Sequence, residues 1–390
     1  MRLRNLSLLL FIATVIATAQ SPAPVPIQIQ QQVWQMQESG TTAGLRGIDS
    51  VDGTVAWASG TEGKVLRTAD GGALWMKCAV PDGDKDGATL DFRGVQAWDS
   101  NTAIVMASGP GDKSRLYKTV DGCASWTLLF TNPDGAGFWD GLQFIPAAGR
   151  DKGRMGRLIG DPVNGKFAEF MTWDYGKTWG ADTQRHPEVA SAKTGESLFA
   201  ASNSAMVLVR NTPLFVTGGS ASRSRTLELH VKHDPYILFN IVGGDIPMKH
   251  GPSAGAFSVA AHLGPDTMDA ADTARFIERA TRLGDRFVVV GGDYTKPDES
   301  ADTAAWSSDG GEHWTASTIP PHGYRSTVQW SEALKAWVTA GTNGSDISRD
   351  DGRTWQTLDS GNWNALSLPF IVGPNGRIAR LNPFVILPQK

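Results

Sequence analysis

The strongest constraint on this chain is a turn that it repeats five times. The copies are Thr68-Ala69-Asp70-Gly71-Gly72-Ala73-Leu74-Trp75, Thr119-Val120-Asp121-Gly122-Cys123-Ala124-Ser125-Trp126 and Thr172-Trp173-Asp174-Tyr175-Gly176-Lys177-Thr178-Trp179, followed by Ser307-Ser308-Asp309-Gly310-Gly311-Glu312-His313-Trp314 and Ser348-Arg349-Asp350-Asp351-Gly352-Arg353-Thr354-Trp355. The pattern, Ser/Thr-x-Asp-x-Gly-x-x-Trp, has the chemistry of a hairpin. The hydroxyl and the carboxylate satisfy backbone N–H groups, Gly supplies a positive φ, and Trp packs back between sheets. Asp70, Asp121, Asp174, Asp309 and Asp350 are therefore read as structural rather than catalytic.

Between these turns a weaker repeat recurs. In the first unit it runs Leu45-Arg46-Gly47-Ile48, Val55-Ala56-Trp57-Ala58, a Gly-bearing turn over 59–63, and Val65-Leu66-Arg67 before the repeated turn. Four short strands per unit are a propeller blade. Units begin near Leu45, Phe92, Trp139, Glu196, Ala254, Tyr324 and Trp363, so the expectation is an all-β, seven-bladed β-propeller of four-stranded blades, with six blades as the fallback parsing of 196–300. The last unit stops at Ile378-Ala379-Arg380-Leu381 without an outer strand. Val33-Trp34-Gln35-Met36 is the expected donor, closing the ring and covering two sheet edges. Phe276, Ile277, Ala280 and Leu283 recur at helical spacing and predict a short inserted helix within Asp272 to Gly284.

The remaining organisation follows from composition. Arg2, Arg4, the apolar run Leu6 to Ala17 and the small-x-small triplet ending at Ala19 read as a signal peptide over 1–19, cleaved before Gln20. The run is too short to span about 30 Å of hydrocarbon. Residues 20–32 read as a Pro-rich linker and 33–390 as one propeller domain, predicting a periplasmic or secreted monomer with no membrane insertion of the mature chain. With 36 Lys and Arg against 40 Asp and Glu, the chain lacks the basic excess of a nucleic-acid binder. Cys78 and Cys123 are the only cysteines; an oxidising compartment permits one disulfide between them, but two separate small buried residues are the preferred reading.

The repeated turns, with Arg46-Gly47-Ile48, Gly291-Gly292-Asp293-Tyr294 and Gly373-Pro374-Asn375-Gly376-Arg377, make the chain resemble the Asp-box (BNR) propellers, and within them bacterial proteins similar to the photosystem II stability and assembly factor. That resemblance implies a non-enzymatic propeller that binds a polypeptide through an arginine-bearing surface, without a cofactor. Sialidases, sortilin-type receptors and xyloglucan-degrading enzymes share the turns, so the resemblance does not by itself settle function.

Aligning the first strands of the units puts Arg46, Arg93, Asp140, Glu196, Arg325 and Asn364 at equivalent positions around one channel mouth. The turns between second and third strands add Asp161, Asp293 and Tyr294. Converging guanidinium and carboxylate groups can bind an anionic ligand or pair with one another, and carboxylates can perform acid–base work. The reading preferred here is capture of a protein or peptide partner in the cell envelope, with no metal and no catalytic residue. The alternative is a glycoside hydrolase using Asp140 and Glu196. Against a sialidase, Arg46, Arg93 and Arg325 are not followed by the apolar-Pro pair that characteristically follows its leading Arg.

Other motifs carry little. Gly160 to Lys166 matches phosphate-loop spacing, but Phe167 stands where a hydroxyl residue is required and no helix follows. His230 and His233 are too sparse to define a metal site. No nucleophile elbow or dinucleotide fingerprint occurs.

Overall fold

The computed structural model describes residues 32–145, 153–181, 191–209, 212–231, 237–242, 244–264 and 285–386. The expected signal peptide, nearly all of the linker, the predicted helix over 272–284 and His233 lie outside these residues.

Antiparallel four-stranded sheets dominate the chain, all but one formed by strands consecutive in sequence. The first contains Leu45–Ser50, Ala56–Gly60, Val65–Thr68 and Met76–Lys77. The second contains Phe92–Ala97, Ala103–Ala107, Arg115–Thr119 and Thr127–Thr131. Equivalent sheets begin with Trp139–Phe144 and Thr327–Ser331. Among the described residues no helix is long and apolar enough to cross a membrane.

The sheet formed by Ala365–Ser367, Phe370–Val372 and Ile378–Leu381 takes its fourth strand from the other end of the domain. Trp34–Gln37 pairs antiparallel with Ile378–Leu381, placing Trp34 opposite Leu381 and Gln37 opposite Ile378. Trp34 is buried against Trp363 and donates its indole N–H to Ser345 Oγ at 2.9 Å. Gln37 accepts from the Trp75 indole at 3.0 Å and donates to the Gly71 carbonyl, tying this strand to the first repeated turn.

Residues 196–316 depart from the regular pattern. Glu196–Ser197 and Met206–Val209 both pair with Thr212–Gly219, and the end of that strand also bridges Gly251–His262, giving one nine-stranded sheet. Gly218 and Gly255 permit the bridge. A Cβ on Gly218 would come within 2.8 Å of the Gly255 Cα.

The five repeated turns adopt one geometry. In the first, Thr68 Oγ1 donates to Asp70 Oδ1 at 2.8 Å and accepts from Gly72 N–H at 2.9 Å, while Leu74 N–H donates to Asp70 Oδ1. The same bonds recur at Thr119 and Asp121, Thr172 and Asp174, Ser307 and Asp309, and Ser348 and Asp350. Hydrogen bonds to the ionised form hold all five carboxyls below the ordinary range, Asp121 to about 2 through Ser125 and then Thr119.

The second turn differs at one position. Cys123 has φ +67° where the other turns place Gly72, Gly176, Gly311 and Gly352. Cys123 is disulfide-bonded to Cys78, with 5.2 Å between Cα atoms, which joins the edge of the first sheet to the turn of the second. The bond corrects the preferred sequence reading of two separate buried residues; the crosslink occupies a backbone position that favours glycine.

The core is distributed between neighbouring sheets. Trp57 packs with Phe92, Val105 and Tyr117, and Trp139 packs with Ile104, Leu116 and Phe170. First strands also touch one another in chain order, from Leu45–Ser50 against Phe92–Ala97 through to Ala365–Ser367 against Leu45–Ser50.

Candidate functional site

A register irregularity recurs at one position of the first strands. Between Leu45 and Gly47, Phe92 and Gly94, Trp139 and Gly141, and Ala256 and Ser258, the pairing with the second strand skips one residue. The skipped residues are Arg46, Arg93, Asp140 and Phe257. A bulge of this kind re-aims a side chain, and all four line one cavity of about 420 Å³. The glycines after three of them keep the strands close. A Cβ on Gly47 would meet the Arg93 carbonyl at 3.0 Å.

The same cavity is lined by Asp161, Tyr294 and Asn364, so six of the nine expected site residues come together. Asp293 does not line it; its carboxylate accepts from Ser253 and Thr295 hydroxyls at 2.8 and 2.6 Å and so shapes the turn that presents Tyr294.

Glu196 and Arg325 depart from the expected alignment, for one shared reason. The backbone carbonyls of Gly44, Gly195 and Tyr324 lie against Gly60, Gly219 and Gly341 in the same way. Glu196 and Arg325 therefore follow as counterparts of Leu45, the buried position, and not of Arg46. A one-residue shift in a strand turns a side chain to the other face. Glu196 is buried and accepts from Thr217 Oγ1 at 2.6 Å and from Lys193 N–H at 2.9 Å. Arg325 is fully buried and bonds Asp346, Asn343 and the Tyr324 carbonyl. At the position equivalent to Arg46 that unit places Ser326, which lines the cavity with Tyr324 and Thr342.

Residues 198–205 form the floor. Their backbone interrupts the first strand of its unit, and their hydrogen bonds reach several others. Ala200 O accepts from Arg93 Nη1 at 3.2 Å, Asn203 bonds both backbone groups of Leu142, and Ser202 Oγ donates to Ser326 O at 2.7 Å. Leu198 to Ala201 face the cavity with Arg46 and Arg93. Ser202 to Ser204 face a second cavity of about 350 Å³ on the other side, lined also by Asp49, Gln96, Gln143 and Gln329.

One wall of the first cavity is aromatic. Phe199 stacks on Phe257 at 4.0 Å, and Tyr294 and Tyr324 meet Phe257 edge-on. Sequence reasoning found Tyr294 and missed Phe199, Phe257 and Tyr324; Phe257 was findable only by extending the register to a unit whose bulge carries no charge.

A further part of the lining is ionic. Arg93 Nε donates to Asp91 Oδ2 at 2.8 Å, and Arg46 stands 4.0 Å from the same oxygen. One carboxylate therefore serves two guanidinium groups. Burial, then repulsion from Arg93, lowers the Arg46 guanidinium. Asp140 is 1% exposed. Burial, then the neighbouring Asp161, pushes its carboxyl well above the usual range, against the opposing pull of Arg93. Burial also raises Asp161, whose Oδ1 accepts from Leu198 N–H at 2.9 Å. Such a site can bind an anion through guanidinium groups, offer an uncharged carboxyl as a hydrogen-bond donor, and pack an apolar group against the rings.

The phosphate-loop spacing at Gly160 to Lys166 falls in a hairpin between Gly156–Val163 and Lys166–Thr172, with no helix following. Asp309, Glu312 and His313 lie close enough together to reach a common ion, but they belong to an exposed repeated turn.

No known protein family and no curated protein matches the chain by sequence. Solved structures do match it in three dimensions. A YCF48 structure described as bound to a D1 peptide superposes with TM-score 0.54 at 18% identity, covering 90% of this chain and 98% of that one. YCF48 from Cyanidioschyzon merolae superposes with TM-score 0.57 at 17% identity, covering 90% and 99%. At these identities the likeness establishes the fold, a β-propeller, in agreement with the four-stranded sheets.

Proposed function

We propose that this chain is a non-enzymatic, polypeptide-binding propeller of the assembly-factor kind, which receives its partner in the cavity bounded by Arg46, Arg93 and the aromatic wall. The observation that carries the reading is convergence: separate sheets use the same bulge to aim Arg46, Arg93, Asp140 and Phe257 into one cavity. Peptide binding by a structural neighbour of the same fold supports it. The full picture is a seven-bladed ring with Asp-box turns, closed by the N-terminal strand. First strands that touch in an order returning to Leu45–Ser50 support that count, as does the pairing of Trp34–Gln37 with Ile378–Leu381. We place the protein in the periplasm or outside the cell, as a monomer. The Cys78–Cys123 bond supports an oxidising compartment.

The glycoside hydrolase alternative loses its expected pair, because Glu196 does not line the cavity with Asp140. The experiment is a crosslinking pull-down from the cell envelope with wild type and Arg46→Ala/Arg93→Ala. A partner captured by the first and lost with the second is expected. Equal capture by both removes the cavity from the proposal, and turnover of aryl glycosides abolished by Asp140→Asn would replace it with the enzyme reading.

A further inference from the structure

Three charged atoms around this cavity are buried without a hydrogen-bond partner among the described residues: Arg46 Nε, Asp91 Oδ1 and Asp140 Oδ2. Asp140 is the most confined. Its side chain leaves the bulge between Trp139 and Gly141 and lines the cavity, so its unpartnered oxygen is a hydrogen-bonding position that no other described side chain uses. A buried polar atom in this state costs free energy unless something completes it. The groups that face it are Arg93 from Phe92–Ala97, Asp161 from Gly156–Val163, and the backbone N–H groups of Asp161 and Ala200. Arg46 and Asp91 complete the charged wall beyond them.

Resting on the reading of this cavity as the partner site, we propose that the partner group it receives is a carboxylate, hydrogen-bonded by Asp140 and paired with Arg93 and Arg46, with an adjoining apolar or aromatic side chain against Phe199, Phe257 and Tyr294. An acceptor-only ligand fits because the cavity presents two guanidinium groups beside a buried Asp140 held toward its neutral form. Burial and Asp161 both favour the neutral acid, which donates one hydrogen bond. A ligand ammonium would instead face two guanidinium groups. A neutral amide could use Asp140 but would leave Arg46 and Arg93 with Asp91 as their shared carboxylate. The aromatic rings line the same cavity as the guanidinium groups, so the preferred ligand is amphipathic across a single residue.

The mechanism makes binding proton-gated. While Asp140 is neutral, the carboxylate receives its hydrogen bond. Once pH rises past the raised value of Asp140, two carboxylates meet in a confined space and repel. Affinity therefore falls as pH increases; Asp161, also raised by burial, faces the same space, and Asp140→Asn tests which of the two carboxyls sets the fall. A peptide C-terminus and a Glu side chain present the same group, so both are tested.

The probes are N-acetylphenylalanine, N-acetylphenylalaninamide and acetyl-Glu-Phe-amide, titrated into the mature chain and followed by ligand-observed NMR up to ~10 mM. The free acid is expected to bind at about pH 5.5 and to weaken about tenfold by about pH 8, a change equivalent to one unit of pKa-linked free energy. The amide is expected to bind at least about tenfold more weakly than the acid at the lower pH. The Glu peptide matches the acid if a side-chain carboxylate suffices and falls to the amide's level if the terminus is read. Asp140→Asn keeps a donor of the same shape and is expected to abolish the pH dependence while retaining binding. Arg46→Ala/Arg93→Ala is expected to lose it at both pH values.

Equal binding of acid and amide, no binding of either carboxylate probe, or the same pH profile in wild type and Asp140→Asn overturns the carboxylate assignment. An unchanged envelope pull-down by the arginine double variant instead overturns the partner-site reading beneath it. The two failures are thus separable.

Discussion

The Arg325 guanidinium meets the Asp346 carboxylate at 2.6 Å (Nε to Oδ2), with the two side chains 0% and 1% exposed. This ion pair occupies the interior position that Leu45 and Trp363 fill with apolar side chains. His322 Nδ1 lies 2.7 Å from the other carboxylate oxygen, and Asn343 accepts from the guanidinium. Desolvating two charges is costly, and breaking such a pair leaves one of them buried alone. Asp346→Ala is expected to destabilise the protein by about 3–5 kcal/mol. Replacing both residues with apolar ones of similar volume is expected to recover most of that loss. Urea unfolding of the two single variants and the double variant measures it, and additive losses would contradict the coupling.

Asp140 predicts a stability profile of its own. Its folded-state value is raised above that of the unfolded chain, so its favourable contribution is complete below the ordinary carboxyl range and is lost as pH rises through the raised value. Asp140→Asn removes that penalty. The variant is expected to gain melting temperature over wild type at about pH 8 and to differ little at about pH 4. Parallel melting curves across the range would refute it.

The crosslink closes a loop of 45 residues in sequence separation. Its removal is expected to cost about 3–4 kcal/mol in the chain-entropy account. Because Cys123 holds φ +67°, Cys78→Ser/Cys123→Gly is expected to be about 1 kcal/mol more stable than Cys78→Ser/Cys123→Ser. Guanidinium unfolding of the two variants decides it.

At the fifth repeated turn, Ser348 Oγ accepts from Gly352 N–H and donates to Asp350, and the serine is 1% exposed. Ser348→Ala strands the amide and is expected to cost about 1–3 kcal/mol. The five depressed carboxyls act together in acid. Their contribution is present above the ordinary Asp range and is lost as pH falls through their folded-state values, about 2 for Asp121. Acid titration followed by tryptophan fluorescence reports that loss.

Trp34 buries its indole beneath Trp363 and bonds Ser345 across 311 positions of sequence. Trp34→Ala is expected to lower stability by about 3–5 kcal/mol. It is also expected to accelerate proteolysis at the N-terminal strand, read by timed digestion and mass mapping.

The repeated turns were legible in sequence because their hydrogen bonds close within a few residues, as from Thr68 to Leu74. Arg46, Arg93 and Asp140 were legible because each precedes a glycine, in Arg46-Gly47-Ile48, Arg93-Gly94-Val95 and Asp140-Gly141-Leu142. That glycine marks the bulge. Arg325-Ser326-Thr327 and Glu196-Ser197-Leu198 lack it, and without the anchor a match on charge slid by one residue, enough to exchange cavity for interior. Phe199 and Phe257 were hidden because an aromatic residue in a strand signals burial before recognition. The floor over 198–205 depends on hydrogen bonds to Arg93, Leu142 and Ser326, distant contacts that leave no local pattern. The Cys78–Cys123 pairing likewise depends on adjacent sheets and not on spacing.

The pairing of Trp34–Gln37 with Ile378–Leu381 sets an order of events. The first described strand of the domain pairs with the last, so this sheet waits for nearly the whole domain while the first and second sheets can form from neighbouring segments. Contacts of such separation are slow to find. Through that interval Trp34–Gln37 lacks this partner, and the edge of Ile378–Leu381, once made, can take that strand from its own chain or from another copy. Closure of this sheet is therefore the step at which concentration sets the balance between pairing within one chain and strand exchange between copies.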